Sequence, residues 1–266
     1  MAADTARLFR RRHFETGMGR IAALLAIACA FATLPPAVAT GANTTPLRLA
    51  VAANFRAPLN ELAEEFERRH GVPLSPTFGA SGLLAAQIRQ GAPFDAFFSA
   101  DRMRPQALID SGLAAAPVTV YARGRVALVS SASATARNRA GVGRIGVPNP
   151  QLAPYGAAAM QCLQRLGVQG RFRNRLVFGN NVNQVDHFLE SGALEVGFVA
   201  LGQLVARDVP AERFWVCPAS FHEPIDQGAV VLHRTGHPAA TRQLLRFMTR
   251  PDTQARLAQL GYLPGE

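Results

Sequence analysis

Four short segments combine small residues with neutral polar ones, and each stands directly before a stretch with helical periodicity. Backbone N–H groups at the start of a helix have no partner within the helix and carry positive partial charge, so such turns favour anions. None of the four contains an Arg, which predicts that neutral dipoles rather than an ion pair would hold the anion. Ser and Asn are also common helix caps, so each turn taken alone has an ordinary structural explanation. The segments are residues 52–55 (AANF), 79–82 (GASG), 153–156 (APYG) and 179–184 (GNNVNQ).

Short apolar strands alternate with helices along the chain and must position these turns. Residues 47–53 (LRLAVAA) are typical of a buried parallel strand. The helix after them carries Leu59, Leu62 and Phe66 on one face and ends at Gly71. The alternation continues, a second series follows, and the last segments return as a strand and two helices. This order predicts an α/β fold of two lobes, each a mostly parallel sheet flanked by helices, with a ligand between them.

The chain is strongly basic, but the distribution of its charge does not predict a nucleic-acid-binding protein. All 28 basic residues are Arg, against 18 acidic residues, for a net charge of +10. Many of the Arg lie at scattered positions on predicted helix surfaces, without a clustered patch or a nucleic-acid-binding motif. A mildly positive surface would help to steer a small anion towards the protein.

The first 39 residues have the pattern of a cleavable export signal. An Arg-rich stretch precedes an apolar run at 21–34 that is too short to span a bilayer comfortably. Two prolines then break any helix, and residues 37–39 (AVA) supply a small-x-small cleavage pattern. Cleavage near Ala39 would leave a periplasmic protein. Residues 11–14 (RRHF) match the twin-arginine export signature in part, so the export route stays open.

Two cysteines would remain after the leader, with its Cys29, is removed. In an oxidising compartment Cys162 and Cys217 could form a disulfide. Alternatively, both could be small buried hydrophobic residues. Cys162 lies on a predicted helical apolar stripe with Leu163 and Leu166, which favours the unpaired alternative.

Four long segments of the chain resemble the periplasmic molybdate-binding proteins of ABC importers. The resemblance spans residues 47–263, and its most specific parts are residues 91–101 (GAPFDAFFSAD) and the APYG turn. The segments occur in the same order as in that family. They are LRLAVAANFRAPLNELAEEFERRHG from residue 47, FGASGLLAAQIRQGAPFDAFFSAD from residue 78, NPQLAPYGAAAMQCL from residue 149 and GNNVNQVDHFLESGALEVGFVAL from residue 179.

The resemblance implies a two-lobed periplasmic-binding-protein fold of type II, in which the chain crosses twice between the lobes. Lobe 1 would comprise residues 47–122 and 226–266, and lobe 2 residues 123–225. The implied ligand is molybdate or tungstate, which the protein would capture without catalysing a reaction and deliver to the membrane permease of an ABC importer. The family implies a monomer with no cofactor and no metal ion ligated directly by side chains, because molybdenum is bound as an oxyanion.

Lobe 1 would supply two ligand-binding residues according to this resemblance. Ser81 matches a position whose hydroxyl donates to the ligand. Asn54 stands where many family members have Ser and some have Asn. Ala53 is a further candidate, since related chains can have Thr there.

Lobe 2 would supply two more ligand-binding residues. Tyr155 and Val182 match positions that bind through their backbone N–H groups, so the Val182 side chain is immaterial. Several family members carry a Tyr at the position of Ala200, and its hydroxyl contacts the ligand. The Tyr155 hydroxyl is a candidate to replace it.

Two other classes of function compete with this interpretation. Ser81 invites comparison with a hydrolase nucleophile, but Leu83 stands where the G-x-S-x-G elbow requires its last Gly. A metal site at His222 and Glu223 is weakly indicated, because one His-Glu pair is much less than H-E-x-x-H. Binding proteins for sulfate, phosphate or chelated iron can share the fold. Protonated phosphate would require an acceptor, which the four turns do not offer.

Overall fold

Two five-stranded sheets organise the chain in this computed structural model, which describes residues 45–131 and 143–265. The predicted export signal lies outside the described residues. Thr44–Glu266 forms one compact unit. Within the described ranges, no helix is long and apolar enough to cross a membrane.

Strands and helices alternate, as the apolar periodicity predicts. The strands are β1 (Leu47–Ala52), β2 (Leu74–Gly79), β3 (Ala96–Phe98), β4 (Ala114–Gly124), β5 (Val126–Ser130), β6 (Ile145–Pro148), β7 (Leu176–Gly179), β8 (Val196–Ala200), β9 (Phe214–Val216) and β10 (Ile225–Leu232). The α-helices are α1 (Arg56–His70), α2 (Ser81–Arg89), α3 (Met103–Asp110), α4 (Pro154–Arg165), α5 (Gln169–Phe172), α6 (Val182–Glu190), α7 (Leu201–Val205), α8 (Pro238–Met248) and α9 (Pro251–Gln259).

The first sheet has the order β2-β1-β3-β10-β4. β1 is parallel to β2 and β3, and β10 is antiparallel to both β3 and β4, so four of the five strands share one direction. Ala52 pairs with Gly79 at the ends of β1 and β2. The turns that follow these two strands therefore start side by side at one edge of the sheet.

The second sheet repeats this pattern in the order β7-β6-β8-β5-β9. β6 is parallel to β7 and β8, and β5 is antiparallel to β8 and β9. Pro148 pairs with Gly179 at the ends of β6 and β7, so the turns before α4 and α6 also start side by side. The mixed two-sheet architecture confirms the predicted α/β fold class.

The chain passes between the two sheets twice. Arg125 alone separates β4 from β5, and residues 217–224 connect β9 to β10. The first sheet thus takes its strands from residues 47–124 and 225–232, and the second takes them from 126–216. The apolar pattern assigned no strand to β4 or β9, because β4 mixes buried and exposed residues without regular alternation and β9 has three residues.

Aromatic residues fill the core between the first sheet and helices α1, α8 and α9. Phe55, Phe66, Phe98 and Phe247 are fully buried there together with Tyr121. Helix α1 contributes the predicted apolar face, and it ends at a left-handed Gly71, as the sequence pattern predicted. The core rigidly supports the edge of the sheet at which β1 and β2 end.

Cys162 and Cys217 are joined by a disulfide, so the unpaired state favoured from sequence is wrong. Their Cα atoms are 6.5 Å apart, a separation that a disulfide spans. The helical stripe does place Cys162 in the core, but Cys217 enters the same core from the end of β9. The two cysteines are therefore both buried in the core and paired with each other. The bond ties α4 to the second connection between the sheets.

Candidate anion-binding site

All four turns singled out in the sequence meet around one small cavity between the two sheets. Its volume is about 10 Å³, close to the smallest volume that holds one water molecule. The turns after β1 and β2 form one wall, and the turns after β6 and β7 form the other. The cavity is lined by Ala52, Ala53, Asn54, Gly79, Ala80, Ser81, Ala100, Ala153, Pro154, Tyr155, Asn181 and Val182. Every candidate ligand residue is in this wall.

Ser81 offers the cavity two donors. It is the first residue of α2, behind the cap residue Ala80, so it is not the N-cap that the alternative explanation required. Its side chain is 2% exposed, and its Oγ accepts a hydrogen bond from the Ala100 N–H at 3.0 Å. The hydroxyl proton therefore remains available for a ligand. No backbone carbonyl in the described residues accepts the Ser81 N–H, whereas the next N–H, of Gly82, donates to Leu152.

Asn54 directs its side chain away from a ligand and into a buried polar cluster. Its Nδ2 donates to Gln227 Oε1 at 2.8 Å and lies 3.3 Å from Tyr262 Oη. The Tyr262 hydroxyl in turn donates to the Asn54 carbonyl at 2.8 Å. Ala53 and Asn54 both lie in the cavity wall and in the first turn of a short 3-10 helix, where backbone N–H groups have no partner within the helix. The expectation of a ligand contact at these positions stays a prediction, now assigned to the backbone.

The Tyr155 hydroxyl likewise lies in this buried polar cluster. Its Oη is 3.5 Å from Asn54 Nδ2 and lies so close to Gly124 that a Cβ there would overlap it. Burial raises the pKa of the Tyr155 hydroxyl well above its ordinary value, so the group stays neutral. This geometry does not support the suggestion that the hydroxyl replaces the Tyr missing at Ala200. We call Asn54, Tyr121, Tyr155, Gln227 and Tyr262 the tyrosine–amide cluster.

Close packing holds the start of α4, with Tyr155 in the cavity wall, against the end of β6. Gly156 lies against the Pro148 carbonyl, where any Cβ would overlap the backbone. The absence of a side chain therefore brings the first turn of α4 onto the end of β6. No backbone carbonyl within the described residues accepts the Tyr155 N–H.

Val182 is the first residue of α6 and is 3% exposed. The cap residue Asn181 accepts the Gln184 N–H through Oδ1 at 3.1 Å, and Gln184 Oε1 accepts the Asn180 N–H at 2.6 Å. These side chains satisfy the neighbouring donors and leave the Val182 N–H without a backbone acceptor in the described part of the chain. The turn therefore has the structure that backbone recognition requires.

The electrostatics of the cavity come from dipoles. Helices α2, α4 and α6 all begin at its wall, which adds positive partial charge from three directions. Among the described residues, none that lines it is Arg, Asp or Glu. A metal centre has no support in this part of the chain, where no group of three His, Cys, Asp or Glu could hold an ion. His222 Nδ1 instead lies 2.7 Å from the carbonyl oxygen of Glu223.

Larger cavities occur elsewhere in the described residues, but their walls are not formed by several helix starts. One of about 480 Å³ lies beside Arg207 and Arg213 on the second sheet, and another of about 410 Å³ lies behind Arg123 and Arg125. Neither collects the free N–H groups of several helix starts. The convergent N–H groups, rather than cavity size, therefore identify the candidate site.

Residues 47–263 match the model of the bacterial extracellular solute-binding proteins. The chain belongs to this family. It is 34% identical over 220 residues to the molybdate-binding protein ModA of Rhodobacter capsulatus, covering 80% of this chain and 86% of that protein. It is 33% identical over 234 residues to ModA of Azotobacter vinelandii, covering 85% and 92%.

Solved structures in this solute-binding family share the fold. The periplasmic molybdate-binding protein of Azotobacter vinelandii superposes with a TM-score of 0.75 at 33% identity, covering 83% of this chain and all of that one. The sulfate-binding protein SubI of Mycobacterium tuberculosis superposes with a TM-score of 0.67 at 14% identity, covering 83% and 87%, which shows a common fold only. These proteins are named for the anion that they bind, so the hydrolase alternative for Ser81 has no support from them.

Proposed function

We propose that this solute-binding protein captures molybdate between two lobes for delivery to an ABC importer. The observation that carries the proposal is the convergence of unpartnered N–H groups from Ser81, Tyr155 and Val182 with the Ser81 hydroxyl. Ala53 and Asn54 add the backbone donors of their turn. Donors from both sheets around one small cavity suit a tetrahedral oxyanion, whose oxygens point in several directions.

The lobes would correspond to residues 47–122 with 226–266, and to 123–225. Their boundaries fall within three residues of Arg125 and Ile225, where the chain passes between the sheets. Closure around the ligand would then bend the chain at these two connections.

The chemistry of the wall favours a fully ionised anion. A protonated phosphate needs an acceptor for its proton, and carboxylates are absent from the described lining residues. Molybdate is favoured over sulfate because relatives above 30% identity are named for molybdate, whereas the sulfate-binding neighbour shares only the fold. Tungstate has nearly the same size and shape as molybdate, so we propose that the site takes both.

The location and partners follow from the same proposal. The leader would be removed near Ala39, leaving a monomeric periplasmic protein that binds the oxyanion and then docks on a membrane permease. The names of the relatives support the compartment. N-terminal sequencing of the exported protein tests the cleavage, and a retained Met1 would contradict it.

Titration calorimetry with molybdate, tungstate, sulfate and phosphate tests the ligand assignment. We expect molybdate and tungstate to bind with similar affinity and more tightly than the other two anions. Ser81→Ala should weaken molybdate binding by about 10- to 100-fold, because a hydrogen bond to a charged group contributes about 1.5–3 kcal/mol. It should also lower the melting temperature, because the buried Ala100 N–H loses its acceptor.

A second buried hydroxyl in the first lobe provides the control for Ser81→Ala. Thr241 is fully buried and donates to the His237 carbonyl at 2.8 Å, away from the cavity. Thr241→Ala should lower the melting temperature without changing the molybdate dissociation constant. Equal dissociation constants for the wild type and Ser81→Ala would show that the hydroxyl is not a ligand.

A further inference from the structure

A second set of contacts joins the two sheets at the rim of the cavity. The Gly82 N–H donates to the Leu152 carbonyl at 2.9 Å. Arg104 Nη2 donates to the neighbouring Gln151 carbonyl, also at 2.9 Å. Both acceptor carbonyls lie in the loop between β6 and α4, a few residues before Tyr155. The donors lie on α2 and α3, which pack with the first sheet.

Arg104 is held in place from its own side of the cavity. Its guanidinium forms an ion pair with Asp101, and the two side chains are only 22% and 17% exposed. Asp101 Oδ1 also accepts the Arg104 N–H at 3.0 Å and the Ser99 hydroxyl at 3.1 Å. Asp101 directly follows Ala100, whose N–H binds Ser81 Oγ. The guanidinium is therefore anchored to the same wall that carries the Ser81 donor.

Gly82 lets the two sides approach closely enough for this contact. A Cβ at Gly82 would lie 3.1 Å from the Leu152 carbonyl oxygen and 3.4 Å from Arg104 Nε. The first of these distances is tighter than an ordinary van der Waals contact, so a side chain there would press the loop away. The rim thus combines Gly82 on α2, which has no side chain, with the long and pre-oriented side chain of Arg104 on α3.

We propose that Arg104 is a latch that holds the closed form by gripping the backbone of the loop that presents Tyr155. The proposal rests on the oxyanion-binding function given above. Arg104 is a positioning residue and does not touch the ligand, since it is outside the cavity wall and its charge is paired with Asp101. The bonds to Gln151 and Leu152 join residues on the two sides of the cavity, so separation of the lobes would break them. They therefore stabilise the closed form alone and should slow ligand release rather than speed ligand capture.

Release of radiolabelled molybdate into excess unlabelled molybdate tests the latch. Arg104→Gln should release the anion about fivefold faster with an unchanged association rate, which corresponds to about 1 kcal/mol. The matched control is Arg102→Gln, which removes the same charge two residues away from an exposed side chain. Its release rate should stay within about twofold of wild type. If both variants release molybdate faster than wild type and at equal rates, the overall positive charge of the Arg residues controls release. That result would overturn the latch.

Gly82→Ala gives a second test that separates binding from folding. Ala is favoured over Gly inside a helix, so the melting temperature of the ligand-free variant should be equal or higher. Its molybdate release should nevertheless be faster, because the Cβ presses against Leu152 only in the closed form. Wild-type release rates in both Arg104→Gln and Gly82→Ala would refute the latch while leaving the binding function intact. Failure of the wild type to bind molybdate at all would overturn the proposed function and the latch with it.

Discussion

Recognition by the backbone can be tested at Val182 by removing one N–H group without removing the helix. Val182 is the first residue of α6, a position where proline is well tolerated because its N–H has no partner in the helix. The preceding Asn181 has φ −155° and ψ 178°, in the extended region that a residue before proline prefers. Val182→Pro therefore deletes the proposed anion donor in a compatible backbone.

The expected loss for Val182→Pro follows from the strength of one charge-assisted hydrogen bond. Such a bond contributes about 1.5–3 kcal/mol, so molybdate affinity should fall by about 10- to 100-fold in titration calorimetry. The proline ring carbon also occupies the place of the lost hydrogen and narrows a cavity of about 10 Å³. The loss of molybdate affinity should therefore be at least as large as the lower end of that range.

Val182→Ala is the matched control, because it shortens the side chain and keeps the N–H. Val182 is 3% exposed, so the alanine variant should lose about 1–2 kcal/mol of folding free energy from its smaller apolar surface. Its dissociation constant should stay within about threefold of wild type. If Val182→Pro binds molybdate as tightly as Val182→Ala, the N–H of α6 does not face the anion and the site has been wrongly built.

Three further predictions test the surroundings of the site. Tyr155→Phe should keep the molybdate dissociation constant within about threefold, measured by calorimetry, because the hydroxyl lies in the tyrosine–amide cluster; a loss of tenfold or more would restore the hydroxyl as a ligand. Reducing the Cys162–Cys217 disulfide should lower the unfolding free energy by about 2–4 kcal/mol in urea titrations, and a double alanine variant should not respond to reductant. Burial raises the pKa of Asp186 from 3.8 to about 6, so the folded protein keeps a proton there that the unfolded chain releases. Stability should therefore fall as pH rises from about 4 to about 6, and Asp186→Asn should flatten the melting temperature over that window; identical pH profiles would contradict the shift.

The alternation of strands and helices was readable from the sequence because each element buries a regular apolar face. Helix α1 shows this, since its apolar spacing and the Gly71 stop both appear in the structure. The order of strands within each sheet was not readable in the same way. β10 lies between β3 and β4, although a hundred residues or more separate it from either strand in the sequence. Such pairings depend on long-range packing, which local periodicity does not encode.

The pairing of Cys162 and Cys217 was missed for a related reason. The apolar stripe of α4 correctly indicates that Cys162 is buried, but a sulfur partner 55 residues away leaves no local signal. Periodicity reports which face of a helix is covered and not what covers it. The prediction therefore identified the buried environment of the side chain but wrongly favoured an unpaired thiol.

The same distinction separates the backbone donors from the side-chain donors of the site. A free N–H at the start of a helix follows from chain order alone. Once two parallel sheets were predicted, Ser81, Tyr155 and Val182 could therefore be placed at the ends of strands, between the two lobes. The direction of a long side chain depends on what surrounds it. Asn54 turns towards Gln227, 173 residues away, and Tyr155 extends towards Gly124 at the first connection between the sheets.

These distant partners place the tyrosine–amide cluster close to both connections between the sheets. Gln227 stands near the second connection, and its Oε1 accepts from both Asn54 at 2.8 Å and Tyr121 at 3.1 Å. Asn54 fixes the orientation of the Gln227 amide, because a flipped amide would place the Gln227 NH2 group against the Asn54 NH2 group. Asn54, which lies in the cavity wall after β1, is thereby tied to β10, the strand that returns from the second sheet. A ligand that displaced Asn54 would therefore act on Gln227, close to the second connection between the sheets. The Asn54 side chain and the Tyr155 hydroxyl, which the sequence offered as donors to the anion, lie in this cluster instead.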